Sequence, residues 1–89
     1  MYDVFMHYVY VLKSSKRNII YVGCSQNLRK RFEEHNKGLV RSTKMNIPWK
    51  LVYYEAYPSK TLAFKREHAL KYHAKSMIML KKRIGLGEG

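Results

Sequence analysis

The sequence has a single cysteine, Cys24, among its 89 residues. One cysteine excludes an internal disulfide and any zinc site built from several cysteines, and it suits a reducing compartment. The sequence has no apolar run of about 18 residues, so it predicts no membrane span. The N-terminal stretch MYDVFMHYVYVL contains an aspartate and no basic leader, so we do not expect it to be a signal peptide. Together these absences predict a cytoplasmic protein.

Acidic residues are also scarce. Six Asp and Glu stand against eighteen Lys and Arg, which gives a net charge of +12, and the basic residues cluster in 29–50 and 60–83. A field of this sign attracts polyanions, and nucleic acid is the expected partner. An acidic membrane surface is the weaker alternative, because the last helical stretch carries Met, Ile and Leu where a membrane-binding helix would carry Trp or Phe.

Hydrophobic patterns and turn signals predict three strands and three helices in the order ββαβαα. The predicted strands cover residues 6–13, 19–24 and 49–57, and the predicted helices cover residues 27–37, 60–75 and 76–84. The fold class is α+β, with a small antiparallel or mixed sheet covered by helices on one or both faces. We expect residues 1–84 to form one domain and residues 85–89 to form a frayed tail.

The first predicted helix has an unusual inner face. Leu28 and Phe32 form its apolar stripe, but Arg31 and His35 lie three and seven residues after Leu28 and share that face. A charged side chain facing the core is costly unless it is paired or faces a water-filled cleft. Arg31 therefore either lines a cleft or extends from the edge of the stripe into water.

The helix predicted over 60–75 shows a similar conflict. Ala63, Leu70 and Ala74 form its predicted inner face, and Glu67, its only carboxylate, falls among them. Glu67 is either an ordinary partner for Lys71 one turn later or a metal ligand.

The predicted hairpin brings tyrosines together. A two-residue turn at Ser15 and Lys16 would place Tyr10 directly opposite Tyr21, and tyrosines often pair across strands. Gly23 shares a face with Tyr21. A glycine inside a strand weakens it and often marks close approach by a ligand backbone.

These side chains form a set that suits phosphodiester hydrolysis. A metal on a carboxylate polarises the phosphate, a phenol or imidazole handles the proton of water, and an arginine stabilises the charge of the transition state. The residues of this candidate catalytic set are Tyr10, Tyr21, Arg31, His35 and Glu67.

The motifs that carry these residues resemble those of the GIY-YIG nuclease superfamily, and most of all its small stand-alone members. The tripeptides YVY at 8–10 and YVG at 21–23 match the two signature tripeptides. Arg31 lies ten residues after Tyr21, as the family arginine does, and Glu67 matches the family glutamate within AFKREHALK. The resemblance covers about residues 6–84.

This resemblance implies a three-stranded antiparallel sheet flanked by helices and an endonuclease that uses one Mg²⁺ or Mn²⁺ ion. It implies that Glu67 binds the metal, that Tyr21 is the general base or positions the water, that Tyr10 joins its hydrogen bonds, and that Arg31 grips the phosphate. His35, one helical turn after Arg31, matches a frequent family histidine. DNA is favoured over RNA as the substrate, in a repair or recombination setting.

The chain is too short for a separate target-selecting domain, so binding would come from its own surface. Phosphate-dominated binding is nearly blind to sequence. The candidate nucleic-acid-binding residues are Gly23, Lys30, Lys37, Arg41, Lys44, Lys65 and Lys71.

The alternative function is a non-catalytic binding module that stacks Trp49 and Tyr57 on bases. We expect a monomer or weak dimer, and a partner that chooses the target is left open. We assign no functional role to His7, His68 and His73.

Overall fold

The computed structural model describes residues 5–86. It contains strands β1 (His7–Ser14), β2 (Ile20–Ser25) and β3 (Trp49–Tyr57) and helices α1 (Leu28–Asn36), α2 (Lys60–Tyr72) and α3 (Ala74–Ile84), with a short 3₁₀ turn at Lys44–Asn46. The sheet is antiparallel in the order β2-β1-β3. The predicted α+β class and element order are therefore confirmed.

Strand β1 is covered on both faces. Four consecutive residues from Val9 to Leu12 are buried, where a half-exposed strand would alternate. Val9 and Val11 pack against residues of α2 and α3, whereas Tyr10 and Leu12 pack against Leu28 and Phe32 of α1. The helices thus lie on opposite sides of the sheet, and β2 and β3 form its edges.

A bulge gives β3 two different inner faces. The pairing between β1 and β3 shifts between Val11 and Leu12, so that Val11 pairs with Tyr53 while Leu12 pairs with Leu51. An extra residue of this kind reverses the side to which later residues point. Trp49 and Leu51 therefore pack on the α1 side, although Tyr53 packs on the α2 side.

The hairpin register differs from the prediction. Tyr10 pairs with Gly23, and Tyr21 pairs with Leu12. The N–H of Ser14 donates to the Ile19 carbonyl at 3.0 Å, so the turn holds four residues instead of two. The Ser14 Oγ stabilises this longer turn, since it accepts hydrogen bonds from the backbone N–H groups of Lys16 and Arg17 at 3.1 Å each. The prediction that Tyr10 lies directly opposite Tyr21 was wrong, but a shift of two residues leaves both on one face.

The break between the last two helices lies at His73, three residues before the predicted start at Ser76. His73 has an extended backbone (φ −110°, ψ 97°) and makes no side-chain cap bond. No glycine or proline marks this position, so the local sequence gave no signal. Ala74 consequently begins α3 and is exposed, although the sequence predicted it on the inner face of α2.

The end of α3 is capped by the chain itself. Gly85 adopts a positive φ of 82°, and the N–H of Leu86 donates to the carbonyl of Lys81 at 2.8 Å. The predicted frayed tail of residues 85–89 is thus hydrogen-bonded at its first two residues, and its remainder, residues 87–89, lies outside the described residues.

A partly buried ion pair fastens α2 to β3. Arg66 Nη2 donates to Glu55 Oε2 at 2.9 Å, and Arg66 Nε donates to the same carboxylate at 3.0 and 3.1 Å. The hydroxyls of Tyr53 and Tyr57 also donate to it, at 2.6 and 2.5 Å. Burial raises the pKa of Glu55, but these bonds outweigh burial and hold the pKa below its usual value. This cluster fixes the helix that carries Glu67.

No helix within residues 5–86 combines the length and the apolar character needed to cross a membrane.

Position 23 requires a glycine because the Tyr10 ring occupies the space that a side chain would need. A Cβ at this position would lie 2.3 Å from the Tyr10 hydroxyl oxygen and 2.4 Å from its Cζ, well inside contact distance. The ring of a neighbouring strand thus occupies the space that the sequence analysis reserved for a ligand backbone.

We predict that Gly23→Ala lowers the free energy of unfolding by about 1–3 kcal/mol, because the new methyl group must displace the Tyr10 ring. Urea unfolding of the wild type and the variant measures the loss. In a Tyr10→Leu background the same substitution should cost clearly less, since the atoms it meets are gone. An equal cost in both backgrounds would contradict this explanation.

Candidate active site

Tyr10 and His35 form a buried pair at the centre of the site. Both are buried, and the Tyr10 hydroxyl lies 2.8 Å from His35 Nε2. Tyr10 comes from the central strand and His35 from the last turn of α1, where it follows Leu28 and Phe32 on the inner face. The sequence prediction that His35 points toward the sheet is confirmed.

Thr43 completes a chain of hydrogen bonds behind this pair. Its hydroxyl donates to the Val40 carbonyl at 3.3 Å and lies 2.8 Å from His35 Nδ1. A hydroxyl that donates to a carbonyl must accept from the imidazole, so Nδ1 carries the proton and Nε2 is the acceptor. The Tyr10 hydroxyl then donates to Nε2. The orientation of Tyr10 therefore depends on a loop residue that the sequence analysis did not identify.

Burial keeps both partners neutral. It raises the pKa of Tyr10 to about 12, partly opposed by the nearby Arg31 guanidinium. It also lowers the pKa of His35 to about 4, with the positive charge of Arg31 adding to the effect. At neutral pH the pair is thus an uncharged donor and an uncharged acceptor.

Arg31 lies at the edge of this cluster. Its side chain is 40 % exposed and its Nη1 lies 3.1 Å from Glu34 Oε1. Burial lowers its pKa, but the bonds to Glu34 and Tyr10 outweigh burial and hold it above the usual value. Arg31 lines a cavity of about 450 Å³ together with Cys24 and Lys30. The sequence allowed two positions for Arg31, at the edge of the apolar stripe or in a cleft. The structure shows both, since Arg31 extends from the edge of the stripe and also lines a cleft.

Tyr21 contacts residues from both sides of the sheet. Its ring centroid lies 5.1 Å from that of His35 and 6.5 Å from that of Tyr10. Lys71 Nζ of α2 lies 5.5 Å from the Tyr21 ring centroid. This contact is geometrically available because β2 is an edge strand, so side chains from α2 can reach around it toward the α1 side.

Glu67 stands beside this contact. Its carboxylate Oε2 lies 3.1 Å from Lys71 Nζ, and its side chain is partly exposed. The pairing with Lys71 that the sequence suggested is confirmed. The Glu67 charge also acts on residues of the sheet. Burial is the main cause of the raised pKa of Cys24 and of Tyr10, and the negative charge of Glu67 adds to both shifts. Glu67 therefore lies within electrostatic range of the tyrosine cluster.

The donor set fits a divalent ion only in combination with substrate. Within residues 5–86, no group of three or more His, Cys, Asp or Glu side chains is arranged to hold a metal ion. Mg²⁺ often takes one or two carboxylates and completes its shell with water and substrate phosphate, whereas structural zinc requires four protein ligands. Glu67 suits the first arrangement and not the second.

Gly23 is buried beneath the Tyr10 ring, and the other predicted nucleic-acid-binding residues divide into two groups. Lys30 lines the cavity beside Arg31, and Lys71 contacts Glu67 and Tyr21. The others project from the ends of helices, from the loop after α1 or from α2, and all of them are exposed: Lys37, Arg41, Lys44 and Lys65.

The aromatic residues chosen for the alternative function do not suit it. Trp49 is buried, its Nε1 donates to the Thr43 carbonyl at 3.0 Å, and its backbone is held by the Asn36 side chain at 2.6 and 2.9 Å. Tyr57 is half-buried and bound to Glu55. Base stacking requires exposed ring faces, so the structure does not support the alternative function at Trp49 or Tyr57. Neither Asn36 nor Thr43 had a sequence signal, because polar residues near a loop are common.

The fold and the arrangement of tyrosines, arginine and glutamate define a known class. A model of the GIY-YIG catalytic domain matches residues 6–83, and the chain belongs to the GIY-YIG family. The chain is similar to UPF0213 proteins of Staphylococcus aureus strains Mu3 and N315, with 36% identity over 80 residues that cover 86% of this chain and 96% of each relative. Membership in this family indicates a nuclease-type activity.

A solved structure is similar as well. The solution NMR structure of a UPF0213 protein from Bacillus halodurans matches with a TM-score of 0.52 and 28% identity, and the match covers 85% of both chains. The likeness supports the observed topology.

We predict that His35 makes the protein less stable in mild acid. The folded pKa of about 4 lies below the unfolded value of about 6.5, so the unfolded chain binds the proton first as the pH falls. The free energy of unfolding should drop by about 2 kcal/mol between pH 7 and pH 5 from this residue.

Urea unfolding across this pH range measures the drop in the wild type, in His35→Gln and in His68→Gln, which alters an exposed histidine. The drop should be much smaller in His35→Gln and unchanged in His68→Gln. Equal drops in all three proteins would contradict the assignment of a neutral buried imidazole.

Proposed function

We propose that the protein is a metal-dependent endonuclease that hydrolyses phosphodiester bonds of nucleic acid, with DNA favoured over RNA and little sequence specificity. The observation that carries the proposal is the meeting of two groups at the edge of β2. Tyr10, Tyr21 and His35 pack together on one side, and Lys71, which pairs with Glu67, contacts the Tyr21 ring from α2. A surface that only binds nucleic acid, without cleaving it, would not need this combination of side chains.

The half-exposed residues are assigned the chemical roles. Arg31 combines a permanent positive charge with partial exposure, so it binds the scissile phosphate and stabilises the charge that develops on it. Tyr21 acts on the attacking water with its hydroxyl, either by positioning it or by accepting its proton. The water oxygen bonds to phosphorus and loses a proton to solvent through the Tyr21 hydroxyl, one ester P–O bond breaks, and the departing oxygen takes a proton from solvent.

The buried pair positions the others. Tyr10 and His35 are closed off from solvent, so they do not touch the substrate. The hydroxyl of Tyr10 donates to His35, which leaves its oxygen lone pairs directed at the Arg31 side of the site. Tyr10 and His35 thus act through Arg31 and Tyr21 as positioning residues.

Glu67 is assigned the divalent ion, Mg²⁺ or Mn²⁺. When bound, such an ion neutralises phosphate charge and activates water. Lys71 neutralises the Glu67 carboxylate when no ion is bound, and the arriving ion and phosphate would replace that pairing.

Binding is assigned to the basic surface. Lys30 and Lys71 flank the site, and the exposed Lys37, Arg41, Lys44 and Lys65 extend the positive field. Contacts of this kind go to phosphates, so affinity should fall steeply with salt and differ little among sequences. Weak specificity would suit substrates defined by structure, as in repair or recombination.

The test is cleavage of plasmid, single-stranded DNA, branched DNA and an RNA hairpin at low salt, each with Mg²⁺, Mn²⁺ or EDTA. We predict metal-dependent nicking by the wild type and a loss of about a hundredfold or more in Glu67→Gln and in Tyr21→Phe, because each change removes a group that acts in the transition state.

Matched controls are Glu33→Gln, which neutralises an exposed carboxylate of α1, and Tyr54→Phe, which removes a hydroxyl from an exposed ring. Both should cleave like the wild type. If no substrate is cut but salt-sensitive binding remains, the proposal fails and the non-catalytic binding module takes its place.

A further inference from the structure

Helix α2 exposes a row of aromatic rings on its outer face. Phe64 is 50% exposed, Tyr72 is 69% exposed, and His68 between them is also exposed. The three residues recur every four positions, so they lie along one face of the helix. We call this row the aromatic ridge. The sequence analysis assigned its histidine no role.

The rings of the ridge lie close to one another and to cations. The His68 and Tyr72 ring centroids are 4.7 Å apart, with an angle of 51° between the planes. Lys60 Nζ lies 5.4 Å from the Phe64 ring centroid. Lys65 is exposed next to Phe64 in the sequence. The ridge is thus a surface of exposed aromatic rings bordered by positive charge.

The ridge also borders the candidate metal ligand. Phe64, His68 and Tyr72 line a cavity of about 210 Å³ together with Glu67 and Lys71. A molecule bound over the Glu67 carboxylate would therefore touch the ridge.

These features define the chemistry of the occupant. Exposed apolar rings that cluster in this way commonly mark a binding surface. The cationic border favours an anion, and the rings favour flat π-systems. Nucleic acid combines both, provided that its bases are not already stacked in a duplex, since base-on-aromatic stacking requires an accessible base face.

We propose that the aromatic ridge is a stacking site for unpaired nucleobases that flank the scissile phosphate beside Glu67. The proposal rests on the proposed function for the position of that phosphate, and it adds a substrate class: nucleic acid that is single-stranded on at least one side of the cut. Phe64 and Tyr72 supply the stacking faces, and Lys60 and Lys65 contact the neighbouring phosphates.

The test measures binding in EDTA, where no metal-dependent cleavage interferes. Fluorescence anisotropy compares a labelled single-stranded 20-mer, a duplex of the same length and a 20-mer of abasic sites. For Tyr72→Ala and Phe64→Ala we expect affinity for the single strand to fall by about tenfold, within the range for one lost stacked base. Affinity for the duplex and the abasic strand should change by less than about twofold, and Tyr72→Phe should bind like the wild type.

Two matched variants separate stacking from other causes. Tyr54→Ala removes another tyrosine that is more than half exposed, from the opposite side of the sheet, and should leave all three affinities unchanged. Lys65→Ala should weaken all three and reduce the slope of log affinity against log salt by about 0.7 for the single strand, whereas Tyr72→Ala should leave this slope unchanged.

Equal losses on single strand, duplex and abasic strand would overturn the proposal. So would a monomer–dimer equilibrium that Tyr72→Ala abolishes without any change in single-strand binding, because the ridge would then be an interface between copies. Binding in EDTA does not depend on cleavage, so the two proposals can fail separately. Ring-dependent binding without any cleavage would refute only the proposed endonuclease. Cleavage without ring-dependent binding would refute only the stacking site.

Discussion

The candidate site depends on the burial of the Tyr10 ring between two strands and a helix. The ring fills the space above Gly23, and its hydroxyl is bound to His35 at 2.8 Å. That one side chain therefore fills the space between the sheet and α1 at the point where β1, β2 and α1 meet. Because Tyr10 and His35 are both uncharged, their burial does not incur the cost of removing an ion from water. Their protonation states also do not change near neutral pH, so the geometry of the pair stays the same there.

The two kinds of residue in the site occupy different depths. Tyr10, His35 and Thr43 are buried and mutually hydrogen-bonded, whereas Arg31, Tyr21 and Glu67 are partly exposed. No buried side-chain nitrogen or oxygen in the described part of the chain lacks a hydrogen-bond partner. The inner layer can therefore be rigid, while the outer layer remains open to a large substrate. A shallow, exposed chemical layer suits a polymer, which cannot enter a closed pocket.

The sequence was informative where a residue violated a local rule. His35 and Arg31 on an apolar helix face, Glu67 on a basic helix and Gly23 inside a strand all stood out, and the structure brings these positions to one edge of the sheet. Hydrophobic patterns and turn signals supplied the element order, and the family motifs implied that the sheet is antiparallel. Errors arose where tertiary contacts override local preference: the Ser14 hydroxyl lengthens the turn, the bulge near Leu12 turns Trp49 inward, and the chain bends at His73 without a breaking residue. Thr43 and Asn36 act through long-range bonds that spacing cannot reveal.

The Glu55–Arg66 cluster has a consequence for anyone who moves this site onto another scaffold. Glu67 belongs to a helix that is fastened to β3, whereas Tyr21 belongs to β2 on the far side of the central strand. The placement of the carboxylate relative to the phenol thus depends on contacts of α2 at both edges of the sheet, with β3 through the ion pair and with β2 through Lys71. A graft limited to the residues around the cleft would lose this support for α2. The minimal transferable unit must therefore include β3 with Tyr53 and Tyr57, which bind Glu55, although neither of them faces the substrate.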